Sequence, residues 1–205
     1  KRFATDGTVN SDDGIALETQ LEKGMILKVQ GEWDRQGEGE ARTVTYDDTL
    51  RGPVTSMTWD AVARSGEITM LGQTVAVDGQ TVFRGATPGL IASNAAGYQV
   101  RVSGWRTAEG KFRASFVGAK AAGVDFDGAN DVEIEGVVQD LDKDAQTFTI
   151  NGFAISYVSA TPEEGISLED LVNGMAVEVE GSLAADNTLI ASEIDDENDW
   201  FDGKD

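Results

Sequence analysis

The 205-residue chain contains no cysteine and no histidine. That removes thiolate nucleophiles, the Ser-His-Asp triad, Cys/His zinc sites and imidazole haem ligation from the chemistry open to it. It also excludes a disulfide framework, although secreted bacterial proteins often carry none, so the count says nothing of the compartment. Only 16 residues are basic against 37 acidic, a formal net charge of −21. A surface so short of lysine and arginine does not displace counterions from a phosphate backbone, which argues against nucleic acid as a partner. The surplus of acid keeps a surface soluble and self-repelling, and it suits an exterior or saline medium where that repulsion is screened. No run approaches the roughly 18 consecutive apolar residues of a transmembrane helix, and the residues from Lys1 do not read as a signal peptide.

The 24 glycines carry the clearest pattern. Gly24-Met-Ile-Leu-Lys-Val-Gln-Gly31, Gly97-Tyr-Gln-Val-Arg-Val-Ser-Gly104 and Gly174-Met-Ala-Val-Glu-Val-Glu-Gly181 superimpose without a gap. At the same offset beyond the second glycine stands an alanine (Ala41, Ala114, Ala191), and three residues later Val44, Val117 or Ile194. The copies recur at about 75 residues, the scale of small domains in tandem rather than of a tight solenoid. Within each segment apolar residues alternate with mostly polar ones such as Lys28, Arg101 and Glu178. Period two predicts a strand with one face on a core and the other in water.

The third copy reads most clearly. A strand beginning at Val137 ends in the turn Asp142-Lys143-Asp144-Ala145; Phe148 and Ile150 follow, then Asn151-Gly152, then Phe153, Ile155 and Tyr157. Asn-Gly between alternating apolar runs predicts a type I′ hairpin, which needs positive φ at both positions. Ser167-Leu-Glu-Asp-Leu-Val-Asn-Gly174 predicts a short helix, with Ser167 as N-cap and Gly174 as its stop. The second copy follows the same plan from Gly52, with an Ala/Gly-rich link at Gly89–Gly97 in place of a clean helix. The order β-β-β-α-β-β is the plan of a five-stranded Greek-key barrel of OB type. The expected fold is therefore all-β: tandem small OB-like five-stranded Greek-key barrels, each with a short helix between strands 3 and 4. The expected units are 51–131 with a linker, 132–194, a partial unit over 1–50, and an acidic tail over 195–205.

Gly136-Val-Val-Gln-Asp-Leu-Asp142, Gln146-Thr-Phe-Thr-Ile-Asn-Gly152, Leu171-Val-Asn-Gly-Met-Ala-Val-Glu-Val-Glu-Gly181 and Leu189-Ile-Ala-Ser-Glu-Ile194 together resemble a bacterial family catalogued as domain of unknown function 5666. The resemblance spans about 134–194, extends more weakly over 52–117, and reaches the second half of 3–44. It implies small OB-like repeats in exported, often surface-attached proteins. The family has no established activity, so the resemblance supplies no site residues.

Aligning Val77-Asp78-Gly79 with Thr5-Asp6-Gly7 makes the sequence enter its first unit at the third strand, so the first barrel is incomplete. Leu17–Gly24 is then the helix, and Met25–Gly31 and Glu40–Tyr46 are the last two strands. Two readings of the absent hairpin stand side by side: a truncated repeat, or strands supplied by another molecule, for which an open edge is a template. Trp200 and Phe201, in the acidic tail, either fold back onto the third unit or anchor on the next copy. The second alternative is a head-to-tail contact between copies, and such a contact that does not close makes a filament.

Asp125, Asp127, Asn130 and Asp131 form a candidate calcium loop, because calcium takes six to eight oxygens from a tightly turned segment. Asp140, Asp142 and Asp144 share the spacing but lie in a hairpin turn, where aspartates bond their own backbone. No other cofactor is indicated. Trp33 and Trp105 fall on opposite faces by alternation, which makes them separate packing residues rather than a shared sugar-stacking row. No spacing among the acids singles out a catalytic pair. The sequence thus points to a non-enzymatic, extracytoplasmic structural protein, secreted or at the cell surface, that associates with other copies of itself. The competing expectation is a surface module for a glycan or small ligand, with calcium as its candidate ion.

Overall fold

The computed structural model describes residues 2–11, 14–46, 48–106, 112–126, 132–162 and 166–196. Among them the protein is all-β, laid out as three copies of one plan. The first holds β1 (Arg2–Ala4), β2 (Leu27–Trp33) and β3 (Glu38–Tyr46). The second holds β4 (Leu50–Pro53), β5 (Ser56–Asp60), β6 (Ser65–Met70), β7 (Gln73–Asp78), β8 (Val82–Arg84), the helix α1 (Pro88–Ser93), β9 (Tyr98–Arg106) and β10 (Phe112–Ala121). The third holds β11 (Val132–Asp142), β12 (Thr147–Ile150), β13 (Phe153–Ser156), β14 (Thr161–Pro162), β15 (Ala176–Leu183) and β16 (Leu189–Asp196).

In the third repeat the pairings run in a ring: β11 with β12, β12 with β13, β13 with β16, β16 with β15, and β15 back to β11. The second repeat follows the same order, β5-β6-β7-β10-β9-β4, its first strand being broken at Val54-Thr55 into β4 and β5. One pairing in each ring is parallel, and its register is the same in all three copies. Phe3 lies opposite Gly39, Val75 opposite Phe112 and Ile155 opposite Leu189. Each of Gly39, Phe112 and Leu189 stands two residues before the repeat's alanine. The strands β1, β2 and β3 of the first repeat thus correspond in pairing and register to the third, fourth and fifth strands of the other two.

The repeated Gly and Ala form one local device. Gly31 pairs with Ala41, Gly104 with Ala114 and Gly181 with Ala191, and at each pair the ladder slips by one residue, leaving Arg42, Ser115 or Ser192 as a bulge. A Cβ on any of these glycines would overlap the carbonyl oxygen of the residue before the alanine: Glu40, Arg113 or Ile190. The bulge brings the two backbones too close for a side chain. The Asn151-Gly152 turn has φ of 49° and 78°, as a type I′ hairpin requires, and Leu71-Gly72 adopts 46° and 69° at the matching place.

The helices differ from expectation. Ser167–Gly174 forms a single 3-10 turn, Leu168–Asp170, and Leu17–Gly24 another, Glu18–Gln20. The α-helix α1 occupies instead the Ala/Gly-rich link of the second repeat. The Thr87 side chain accepts the Leu90 N–H there, and Pro88 enters the first turn where its missing N–H costs nothing. Ile91 on its inner side is fully buried. In the third repeat Leu171 takes extended backbone (φ −54°, ψ 130°) and is itself buried, so one turn is all that precedes Gly174 at φ +94°.

A second correction concerns the polar faces. Arg101, Ser103, Glu178 and Glu180, which alternation places in water, are buried. The second and third repeats join edge to edge through β4 and β11, with Arg51 opposite Glu133 and Leu50 opposite Ile134. Asp48 and Phe126 contact Arg101, and Tyr46 contacts Ser103, on the resulting continuous sheet. One apolar core runs through the second and third repeats, from Leu50 to Ile194. The first repeat has its own small cluster of Val9, Ile15, Val44 and Tyr46.

Candidate functional site

Two places stand out: the sheet of the first repeat and the ionic seam at the junction of the three repeats.

In the complete repeats the third strand has a second neighbour (β6 on β7, β12 on β13), and so does the fourth (β4 on β9, β11 on β15). In the first repeat β3 joins β1 and β2, and among the described residues neither has a partner on its far side. The consequence is visible in burial. Val100, Val102, Val177 and Val179 are fully buried, whereas Leu27 and Val29 at the equivalent positions are half-buried. Phe3, equivalent to the fully buried Val75 and Ile155, is also half-buried. Phe3 packs edge-on against Trp33 at 6.1 Å, and Trp33 is 52% exposed. This is an apolar face with two strand edges at its rim.

The seam is built from six ionisable side chains with little or no exposure: Asp48, Arg51, Arg101, Glu133, Glu178 and Glu180. Arg51 Nη2 donates to Glu180 Oε1 at 2.9 Å, and Arg51 Nη1 lies 3.1 Å from Glu133 Oε2 and 3.4 Å from Asp48 Oδ2. Arg101 Nε lies 3.1 Å from the same Asp48 oxygen, and its guanidinium stacks on Phe126 at 4.8 Å. The Tyr46 hydroxyl donates to Asp48 Oδ1 and accepts from Ser103 Oγ at 3.2 Å. Burial, reinforced by the negative charge of Asp48, pushes the Tyr46 hydroxyl far above the usual tyrosine range, so it stays a fixed donor. One network thus ties the end of the first repeat to β4 and β9 of the second and β11 and β15 of the third. Removing water strengthens each ion pair, but an unmatched charge there is costly.

Glu133, Glu178 and Glu180 each bring a carboxylate oxygen within 4.8 Å of the others. Three oxygens are half or fewer of what calcium takes, and Arg51 already engages two of the three carboxylates. The arrangement is that of an ionic clasp. Nothing in the sequence marked it, because Arg101, Glu133, Glu178 and Glu180 alternate with apolar residues as water-facing strand positions do.

Of the predicted calcium loop, Asp127, Asn130 and Asp131 lie outside the described residues. Asp125 is described, and its carbonyl oxygen accepts from Lys120 Nζ at 2.7 Å, as that of Phe126 does at 2.9 Å. A lysine ammonium therefore occupies the carbonyls that open the loop. Asp142 Oδ1 accepts the N–H groups of Asp144 and Ala145, and Asp140 Oδ2 accepts from Thr149, so both serve the turn. The tryptophans have separate partners, Trp59 with Phe83 and Trp105 with Arg113, in keeping with individual packing roles. Trp200 and Phe201 lie outside the described residues.

No curated protein and no solved structure matches the chain. One family does, over residues 51–118 and again over 135–195, which are the complete second and third repeats and more than half of the chain. Two separate matches on the two complete copies agree with the repeated glycine, alanine and bulge. The chain belongs to the family described as domain of unknown function (DUF5666).

Proposed function

We propose that this is a non-enzymatic, extracytoplasmic structural protein of OB-like barrel repeats, and that it assembles by accepting strands onto its open first repeat. The observation that carries the reading is the half-exposure of Leu27 and Val29 where the equivalent valines of both complete repeats are fully buried. The five-stranded ring of pairings, with its parallel contact between third and last strands, supports the OB-like description. A surplus of 21 negative charges suits life outside the cytoplasm and keeps unassembled copies apart. Strand addition combines main-chain hydrogen bonds with alternate side-chain contacts, and both are on offer at the rim of β1 and β2.

Sedimentation velocity over a range of concentrations, with electron microscopy of the same samples, tests this. The expected result is a mass that grows with concentration and elongated particles. A monomer at every concentration overturns it.

A further inference from the structure

We propose that the cleft between the β11–β12 turn and the loop leading into β15 binds a lysine-bearing segment of a partner protein, with the lysine stem on aliphatic side chains and its ammonium against Asp142 and Asp144. This goes beyond the assembly reading above and is independent of the first repeat.

The cleft has a volume of about 550 Å³, within the range of ligand sites and larger than a single side chain fills. Its two walls are stitched together. Asn173 Oδ1 accepts the Leu141 N–H at 3.0 Å, and Lys143 Nζ donates to the Glu169 carbonyl oxygen at 2.7 Å. Leu171 is fully buried and Leu141 half-buried, whereas Val172 is 55% exposed. The lining is therefore aliphatic, anchored in the core at one end and open to solvent at the other. Because it opens along Val172, the residues on either side of an inserted lysine also find room, which favours a peptide over a free amine.

Charge selects the occupant. The two segments that form the cleft carry Asp140, Asp142, Asp144, Glu169 and Asp170 against the single ammonium of Lys143, which is engaged by the Glu169 carbonyl. Asp142 gives Oδ1 to the N–H groups of Asp144 and Ala145 and keeps Oδ2 for a ligand. Among the described residues the Asp144 carboxylate makes no hydrogen bond or ion pair. A lysine supplies both parts that such a lining asks for: a four-carbon stem for the aliphatic floor, and a compact ammonium that takes single oxygens from two carboxylates. The net charge of −21 steers a basic partner toward the site and an acidic one away.

The test titrates the full, isotope-labelled chain with the peptide acetyl-Ala-Lys-Ala-amide and follows the methyl resonances of Leu141, Leu171 and Val172 and the Asp144 amide. Saturable shifts confined to the cleft are expected. Norleucine in place of the peptide's lysine should weaken binding about tenfold, and Asp144→Asn in the chain about fivefold. Since the Asp144 carboxylate has no role in the turn, that variant should melt at the wild-type temperature. Val172→Ser, at the exposed end of the lining, should weaken binding about threefold. Shifts that never saturate, equal binding of the lysine and norleucine peptides, or undiminished binding by Asp144→Asn overturns the proposal. Pentylamine that binds as tightly as the peptide would make the cleft a small-amine site and overturn the protein partner. Self-association that Asp144→Asn abolishes, without peptide binding, would make the occupant a second copy and overturn it likewise.

Discussion

Gly181 lies directly opposite Ala191, at a point where the neighbouring strand passes so close that any side chain on the glycine would meet the Ile190 carbonyl. Gly104 with Ala114 and Gly31 with Ala41 repeat the relationship. Gly181→Val is therefore expected to cost about 1–3 kcal/mol, the range for forcing extra volume into a packed site. Denaturant unfolding measures it. Gly89 is the control: it lies in α1 with open space around its Cα, and Gly89→Ala should be neutral or stabilising by up to about 1 kcal/mol.

Arg51 is the one cation that reaches Asp48, Glu133 and Glu180 together among the ion pairs described. Arg51→Met keeps much of the volume and removes the guanidinium from Glu133 and Glu180, while Asp48 keeps Arg101 and Tyr46. A loss of about 3–5 kcal/mol is expected, as for other buried pairs stripped of one partner. Because the group is desolvated, added salt should change the loss little, whereas the exposed Arg42–Glu32 pair should be screened.

The glycines, the alanine and the Asn-Gly turn were legible in the sequence because each answers a local demand: a close approach, a bulge, a positive φ. The seam was not. Arg101, Glu178 and Glu180 alternate with valines as any water-facing strand residue would, and their burial comes with contacts from distant parts of the chain, such as Asp48 and Phe126 on Arg101 and Arg51 on Glu180. Lys28 and Gln30, at the same positions in the first repeat, do remain exposed. Local pattern reports which face a residue takes; it does not report what later covers that face. The short helices failed for a related reason. Ser167 and Gly174 signal a start and a stop, but the demand that Leu171 reach the core leaves one turn between them.

Tyr46 makes the alkaline limb of stability testable. An unfolded tyrosine ionises near pH 10.0, and the buried hydroxyl holds its proton well beyond that. The fold favours the protonated form, so this contribution is whole below about pH 10 and is lost as the pH climbs above it. Unfolding monitored at increasing pH should show a stability decline beginning there, reduced in Tyr46→Phe. At neutral pH that variant should itself lose about 1.5–3 kcal/mol, since Asp48 forfeits a hydrogen bond to a charged group.

The acid limb belongs to the turn aspartates. The Gln80 N–H, aided by Arg113, holds the Asp78 carboxyl below its ordinary 3.8, and N–H groups of Ala63 and Thr188 do the same for Asp60 and Asp186. A depressed folded pKa gives stability that is present above the unfolded value and lost as pH falls below about 4. Asp78→Asn should therefore flatten the acid limb of a pH–stability curve, with little change in its slope near neutrality.

Asn151 Nδ2 donates to Gln73 Oε1 at 2.6 Å, joining residues 78 positions apart in sequence and the matching turns of two repeats. Gly72 packs on Phe153 at the same junction. Gln73 is almost wholly buried, so truncating either partner removes a contact between repeats and leaves the other's polar group poorly satisfied. A double-mutant cycle on Asn151→Ala and Gln73→Ala should give a coupling of about 0.5–3 kcal/mol, as residues in direct contact do. If the second and third repeats unfold as one unit, that coupling appears in a single transition. Additive losses in two separate transitions would mean that the Asn151–Gln73 contact does not couple the two repeats.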